Sequence, residues 1–159
     1  MIKARLLHPE ILAILARAGH SSKILIADGN YPFVTQLGSN ARLVSLNLTP
    51  GLINATQALE AIVSAVPIEE ATVMQPLASG PYALPSEPSI WSDFQRILKE
   101  SGSDVSLKKL ERFAFFDAAK DDNVALTIAT GEQRLYANLL LQIGVVFPAG
   151  GPADSPSLS

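Results

Sequence analysis

Two residues near the start of the chain, His20 and Asp28, could carry acid–base chemistry. His20 follows a glycine that ends a predicted helix, and Asp28 ends the continuous apolar run 24–27. An imidazole titrates near neutral pH and can both donate and accept a proton, whereas an ordinary carboxylate is better suited to binding hydroxyl groups. Each residue also has a structural interpretation, since His20 can cap the preceding helix and Asp28 can accept a turn hydrogen bond.

A second set of groups in the last third of the chain could bind hydroxyl groups. Arg112 heads the sequence Arg-Phe-Ala-Phe-Phe, whose aromatic residues are more typical of a core than of a stacking surface. Further on, Tyr136 and Asn138 place a phenol and an amide close together after a predicted strand, as donors and acceptors suited to sugar hydroxyls. Ordinary turn chemistry is the alternative for Tyr136 and Asn138, and a simple surface charge is the alternative for Arg112.

The composition excludes several classes of chemistry. The 159 residues include no cysteine and two histidines, which excludes thiol nucleophiles, disulfides and multi-histidine metal sites within one chain. Twelve basic against 15 acidic residues give a net charge of −3, which offers no cationic surface for nucleic acid. Nucleotide-binding loops and the usual hydrolase motifs are absent as well. We therefore expect a small-molecule ligand and no metal or cofactor.

The hydrophobic pattern that must position these residues predicts a single α/β domain, with a largely parallel sheet flanked by helices. The apolar run at 23–28 is typical of a central strand covered on both faces. Further strands are predicted at 42–48, 71–77, 123–130 and 136–146. Helices are predicted to begin at His8-Pro9, Thr49-Pro50, Ile90 and Phe113. Residues 107–112 fit neither period clearly.

Other segments bear on assembly and location. The proline-rich stretch 78–89 is predicted to be a long loop, either a lid or a spacer. From Pro148 the composition collapses to small and polar residues, which predicts a domain over 1–147 and a flexible tail over 148–159. No apolar stretch long enough for a membrane span or a signal peptide is seen, so we expect a cytoplasmic protein without a membrane partner. The mean hydropathy of +0.25 favours a homo-oligomer.

Taken together, these motifs resemble the L-fucose mutarotase and D-ribose pyranase family. The matching residues, in chain order, are Gly19-His20, the apolar strand ending in Asp28 with Tyr31-Pro32 after it, Arg112-Phe113-Ala114-Phe115, and Gly131-Glu132 followed by Tyr136-Ala137-Asn138. Their order and spacing are more specific than any one motif, and they fall within residues 7–146. The resemblance implies His20 as the catalytic proton donor. It implies five sugar-binding positions: Asp28, Arg112, Tyr136, Ala137 and Asn138.

The resemblance also indicates a branch of the family and an activity. Arg112 favours the fucose mutarotase branch, because ribose pyranases have a histidine at this place. Two departures bear on the sugar: Phe116 stands where the fucose branch has tyrosine, and Asn30 replaces a histidine. We expect an isomerase that interconverts the anomers of a free monosaccharide, L-fucose or a similar aldose, by acid–base ring opening and closure. A D-ribose pyranase activity or a non-catalytic sugar-binding protein are the alternatives.

One geometric problem concerns how His20 and Asp28 could act on one sugar. About six extended residues at roughly 3.3 Å each place their backbones about 20 Å apart. Either the strand bends sharply or the site is shared between subunits. The second possibility agrees with the ring-shaped homo-oligomers, such as decamers, that the resemblance implies, with the site near a subunit interface.

Overall fold

Six strands form one sheet in the computed structural model, which describes residues 2–148. The strands are β1 Lys23–Ala27, β2 Arg42–Ser45, β3 Ile68–Met74, β4 Leu107–Leu110, β5 Val124–Ala129 and β6 Leu139–Ile143. Their order across the sheet is β2-β5-β1-β6-β3-β4. Only β6 runs antiparallel to its neighbours, β1 and β3, and the other three pairs are parallel. The predicted α/β fold with a largely parallel sheet is confirmed.

Four helices cover the two faces of this sheet. They are α1 Pro9–Leu15, α2 Ala55–Val63, α3 Ile90–Glu100 and α4 Arg112–Ala119. The first three pack on one face with Ile24 and Ile26 of β1, whereas α4 packs on the other face with Leu25 and Ala27. Successive side chains of a strand point to opposite faces, so β1 is buried on both sides. Its continuous apolar run therefore predicted its position correctly.

The predicted start of α2 at Thr49-Pro50 is wrong. The helix begins at Ala55, because Asn54 and Gln57 form a reciprocal capping box in which each side chain accepts from the other's backbone N–H. Residues 49–52 instead form a tight turn in which Leu52 N donates to Thr49 O at 2.9 Å. This turn packs against Gly131, where a Cβ atom would lie 2.4 Å from Leu52 O, so only glycine fits there.

Several strand boundaries also differ from those predicted. Strand β3 starts three residues earlier than the predicted 71–77, since Ile68 already pairs with Ile143. Strand β6 starts at Leu139 rather than at 136, because Tyr136 has a φ of 57°, which no strand residue adopts. Residues 107–110, which showed no clear period, form the edge strand β4 beside β3.

The ends of the chain bear on two further expectations. Among residues 2–148, no helix has the length and apolarity that crossing a bilayer requires. The predicted tail lies almost wholly outside the described residues, since the structure describes only Pro148 of it.

Candidate functional site

A cavity of about 520 Å³ opens at one edge of the sheet. The residues that follow β1, β3 and β4 lie at this edge, together with those that precede the antiparallel β6. The lining residues that the argument uses are Asp28, Tyr31, Tyr82, Arg112, Tyr136 and Asn138. Open α/β sheets bind ligands at the carboxyl ends of their parallel strands, so the cavity lies where a ligand is expected.

Asp28 and Asn138 form the polar floor of the cavity. The Asn138 side chain accepts from Asp28 N through Oδ1 and donates to Asp28 Oδ2 through Nδ2, both at 2.9 Å. Asn30 N donates to Asp28 Oδ1 at 3.0 Å. Asp28 is only 3% exposed, and this burial is the main cause that raises its pKa, although the backbone N–H groups of Asn30 and Ala137 oppose the shift. The structure thus holds the carboxylate rigidly at the cavity.

A second buried carboxylate, Glu132, lies close enough to Asp28 to raise its pKa further. Arg134 binds Glu132 through two hydrogen bonds of 3.0 Å, and it also reaches Asp93 on α3 at 2.9 Å. Burial alone would raise the pKa of Glu132, but hydrogen bonds from Arg134 outweigh it and lower that pKa. Glu132 also accepts from Ala55 N at the start of α2. This network ties the loop after β5 to two helices.

The Tyr136 hydroxyl joins the run at 136–138 to the segment that follows β3. The Tyr136 hydroxyl accepts from Leu77 N at 3.2 Å and donates to Tyr82 O at 2.7 Å. The Ala137 side chain is fully buried in the core, and its backbone N–H group lowers the pKa of Asp28. Ala137 therefore acts on the site through its main chain.

Arg112 and two aromatic residues line the opposite side of the cavity. The Arg112 guanidinium lies 5.7 Å from the centre of the Phe116 ring, and the Phe116 and Tyr31 rings lie 5.8 Å apart. Burial raises the pKa of Tyr31 to about 12. Tyr31 therefore keeps its proton at physiological pH and presents a neutral phenol.

His20 lies at the opposite edge of the sheet from the cavity. It precedes β1, whereas Asp28 follows β1, so the structure does not bring these two residues together within one chain. Its Nε2 atom pairs with Glu69 of β3 at 2.9 Å, and the His20 side chain is 55% exposed. Hydrogen bonds from Gln142 of β6 and from His20 lower the pKa of Glu69.

Glu69 is a functional candidate that sequence reasoning missed. It is 49 residues from His20, and only the placement of β6 between β1 and β3 brings the two together. Since Nε2 faces the carboxylate, the other ring nitrogen, Nδ1, can exchange a proton with a ligand. Within one chain, the His20–Glu69 pair therefore lies at the end of β1 opposite the cavity.

Comparison with known proteins matches residues 1–146 to the RbsD / FucU transport protein family. The chain is 33% identical to the fucose mutarotase of Homo sapiens, over 89% of this chain and 90% of that protein. It is 30% identical to the D-ribose pyranase of Variovorax paradoxus, over 92% of this chain and all of that protein. The crystal structure of the Streptococcus pneumoniae fucose mutarotase in complex with L-fucose superposes with a TM-score of 0.73 at 26% identity, covering 88% and 94% of the two chains.

Proposed function

The chain belongs to the RbsD / FucU transport protein family, and we propose that it is an isomerase that interconverts the anomers of a free monosaccharide. Relatives named fucose mutarotase and D-ribose pyranase support the reaction class. A structural neighbour that was solved with L-fucose supports a sugar ligand. The observation that carries the proposal is the Asp28–Asn138 pair at the floor of a cavity that is large enough for a monosaccharide.

The mixture of polar and apolar side chains that line the cavity favours L-fucose or a similar 6-deoxy aldose. Asp28, Asn138 and Arg112 offer acceptors and donors for sugar hydroxyls. The remaining lining is largely apolar, with the side chains of Met74, Leu77, Phe116 and Leu135. An apolar wall stabilises a methyl group but leaves an added hydroxyl without a partner. The methyl group of a 6-deoxy sugar fits this wall better than a hydroxymethyl group.

Anomer exchange needs one proton removed from the anomeric hydroxyl and one delivered to the ring oxygen, followed by the reverse steps after rotation of the open-chain carbonyl. We assign the proton transfer to His20, with Glu69 holding its ring in orientation. Asp28, Arg112, Tyr136, Ala137 and Asn138 form the sugar-binding set, with Ala137 acting through its N–H on Asp28.

We further propose that a second copy of the chain supplies this histidine. In one chain, His20 and Asp28 lie at opposite ends of β1, about 20 Å apart. Each of the two edges also exposes apolar surface: Val145, Val146 and Phe147 follow β6 on the His20 edge, and Leu135 borders the cavity. Two different surfaces that meet head to tail generate a ring when the rotation closes. The proposed assembly is therefore a ring-shaped homo-oligomer with the site at the subunit contact.

Saturation-transfer NMR of anomeric exchange tests the reaction and the sugar. We expect faster exchange for L-fucose than for L-galactose, which adds a hydroxyl at C6, and than for D-arabinose, which lacks the methyl group. D-ribose tests the activity of the pyranase relatives. Exchange at the buffer rate for every aldose would reject the proposal. The cytoplasmic location stays a prediction, which cell fractionation would check.

A further inference from the structure

The segment 75–82, which follows β3, forms one wall of the cavity and carries an unusual aromatic residue. Gln75, Leu77 and Tyr82 all line the cavity, and the segment contains two prolines, Pro76 and Pro81. Tyr82 is 59% exposed although it borders the cavity. A large aromatic side chain beside an open cavity offers a flat face to a ligand.

The Tyr136 hydroxyl holds this segment at two points. It accepts from Leu77 N and donates to Tyr82 O, so a single phenol oxygen joins the two ends of a six-residue stretch. Tyr136 is itself fixed, because Trp91 Nε1 donates to its carbonyl oxygen at 3.1 Å. Its left-handed backbone, with a φ of 57°, is uncommon for a residue with a side chain and is maintained by these contacts.

The hydrogen bonds limit what the Tyr136 phenol can do for a sugar. A phenol has one proton to donate, and Tyr136 donates it to Tyr82 O. A sugar hydroxyl can therefore only donate to Tyr136, and the main effect of the phenol is on the position of Tyr82. The backbone of Tyr82 is held on its other side as well, since Ala83 N donates to Gly80 O at 3.1 Å.

We propose that Tyr82 is a substrate-contacting residue, whose ring covers the apolar C–H face of the bound sugar, and that Tyr136 is the positioning residue that holds it there. One face of a pyranose is formed largely by C–H groups and is therefore apolar. An aromatic ring that packs on this face removes it from water. This inference rests on the proposed function, because it assumes a monosaccharide in the cavity.

Four variants test the proposal: Tyr82→Ala, Tyr82→Phe, Tyr136→Phe and the double variant Tyr82→Ala/Tyr136→Phe. Tyr82→Ala should raise the KM for L-fucose exchange about two- to tenfold while kcat changes little. Tyr82→Phe keeps the ring and should retain most of the affinity that Tyr82→Ala loses. Tyr136→Phe should raise KM in the same way. The double variant should be no worse than the stronger single variant, because both changes remove the same contact.

Affinity can be followed without turnover through the fluorescence of Trp91, the only tryptophan, whose indole contacts Tyr136. Phe113→Ala is the matched control, since Phe113 is an exposed aromatic residue that does not line the cavity. It should leave KM unchanged. Each variant is also checked for oligomeric state by size-exclusion chromatography.

Different failures separate this inference from the function on which it rests. A wild-type protein that exchanges sugar, with Tyr82→Ala equal to it in KM, overturns the role of Tyr82 alone. Tyr82→Ala that dissociates the oligomer and loses kcat also overturns it, because Tyr82 would then be a subunit contact. Additive effects in the double variant overturn the positioning role of Tyr136. A wild-type protein that neither binds nor exchanges any aldose overturns the proposed function together with this inference.

Discussion

At the scale of single residues, the pair of His20 with Glu69 carries the first prediction. His20→Ala should lower the rate of anomer exchange by about 10²- to 10⁴-fold, the usual contribution of general acid–base catalysis. Sugar affinity should change much less, because Asp28 and Arg112 remain. Glu69→Gln should lower the rate by a smaller factor, since glutamine keeps a hydrogen bond to the ring but loses the charge. NMR exchange rates and calorimetric affinities would measure both.

A matched control exists for this prediction. His8 caps α1, where its Nδ1 atom accepts from Ile11 N at 3.4 Å, and it takes no part in the cavity. His8→Ala should therefore leave exchange nearly unchanged. A His20→Ala protein that exchanged sugar at the wild-type rate would remove this histidine from the mechanism.

Asp28 and Glu132 predict stability changes of opposite sign with pH. Burial raises the pKa of Asp28 above 3.8, so the unfolded chain loses this proton at a lower pH than the folded protein does. The free energy of unfolding therefore falls as pH rises from 3.8 through the folded-state pKa. Relative to the wild type, Asp28→Asn should therefore gain stability across that interval. The pKa of Glu132 is lowered below 4.5, so its contribution is present above pH 4.5 and is lost as pH falls through the folded-state pKa. The destabilisation caused by Glu132→Gln should accordingly grow with rising pH.

Urea unfolding between about pH 3 and pH 7 measures both differences. The opposite slopes act as controls for each other, because an overall loss of stability at low pH would change the unfolding free energy of both variants in the same direction. Parallel slopes would contradict the assignment of these two environments.

At the scale of elements, Arg134 connects the loop after β5 to α2 and α3 through Glu132 and Asp93. Arg134→Met should leave the Glu132 carboxylate buried without its partner. Since Arg134 is itself partly exposed, we expect a loss of about 2 kcal/mol rather than the larger cost of a fully buried pair. Denaturant unfolding at neutral pH would measure it.

Arg96 provides the comparison for Arg134. It pairs with Glu100 on the surface of α3, with both side chains more than half exposed. Arg96→Met should change the unfolding free energy by less than about 0.5 kcal/mol. Equal effects of the two substitutions would show that the Glu132 network is no more important than a surface ion pair.

At the scale of the whole molecule, a shared site predicts complementation between a variant without the proton-transfer group and a variant with an altered sugar-binding group. His20→Ala retains the cavity, and Asp28→Asn retains the histidine. If the two residues act from different subunits, random mixing of the coexpressed chains should leave about a quarter of the sites with both an intact His20 and an intact Asp28. Exchange rates of the mixed oligomer, compared with each variant alone, would measure this. Two variants that stay inactive in a verified mixed oligomer would place both residues in one chain's site.

The apolar edge beside His20 carries the last prediction. Phe147 is 59% exposed in one chain and belongs to this apolar surface. Phe147→Glu places a charge there, so it should dissociate the oligomer and abolish exchange. Sedimentation velocity would follow the dissociation. A chain that ends at Pro148 is the companion variant, and the composition beyond that residue predicts unchanged exchange and assembly. An oligomer that survives Phe147→Glu would exclude this edge as the contact.

Local patterns by themselves determined much of this protein. The apolar run 24–27 predicted a central strand, because a strand covered on both faces needs apolar side chains at every position. The family resemblance implied Asp28, Arg112, Tyr136 and Asn138 as ligand residues, and all four line one cavity. Asp28 and Arg112 meet there because groups that follow parallel strands lie at one edge of a sheet.

Tertiary structure alone decided which side chains act on each other. Asn138 binds Asp28 across 110 residues, and Glu69 binds His20 across 49. Both contacts depend on β6, which lies antiparallel between β1 and β3. Asn138 precedes β6 at the cavity edge of the sheet, and Gln142 lies near the other end of β6, where it contacts Glu69. Strand order follows from the burial of whole faces rather than from any local period, so no motif in the sequence indicates it.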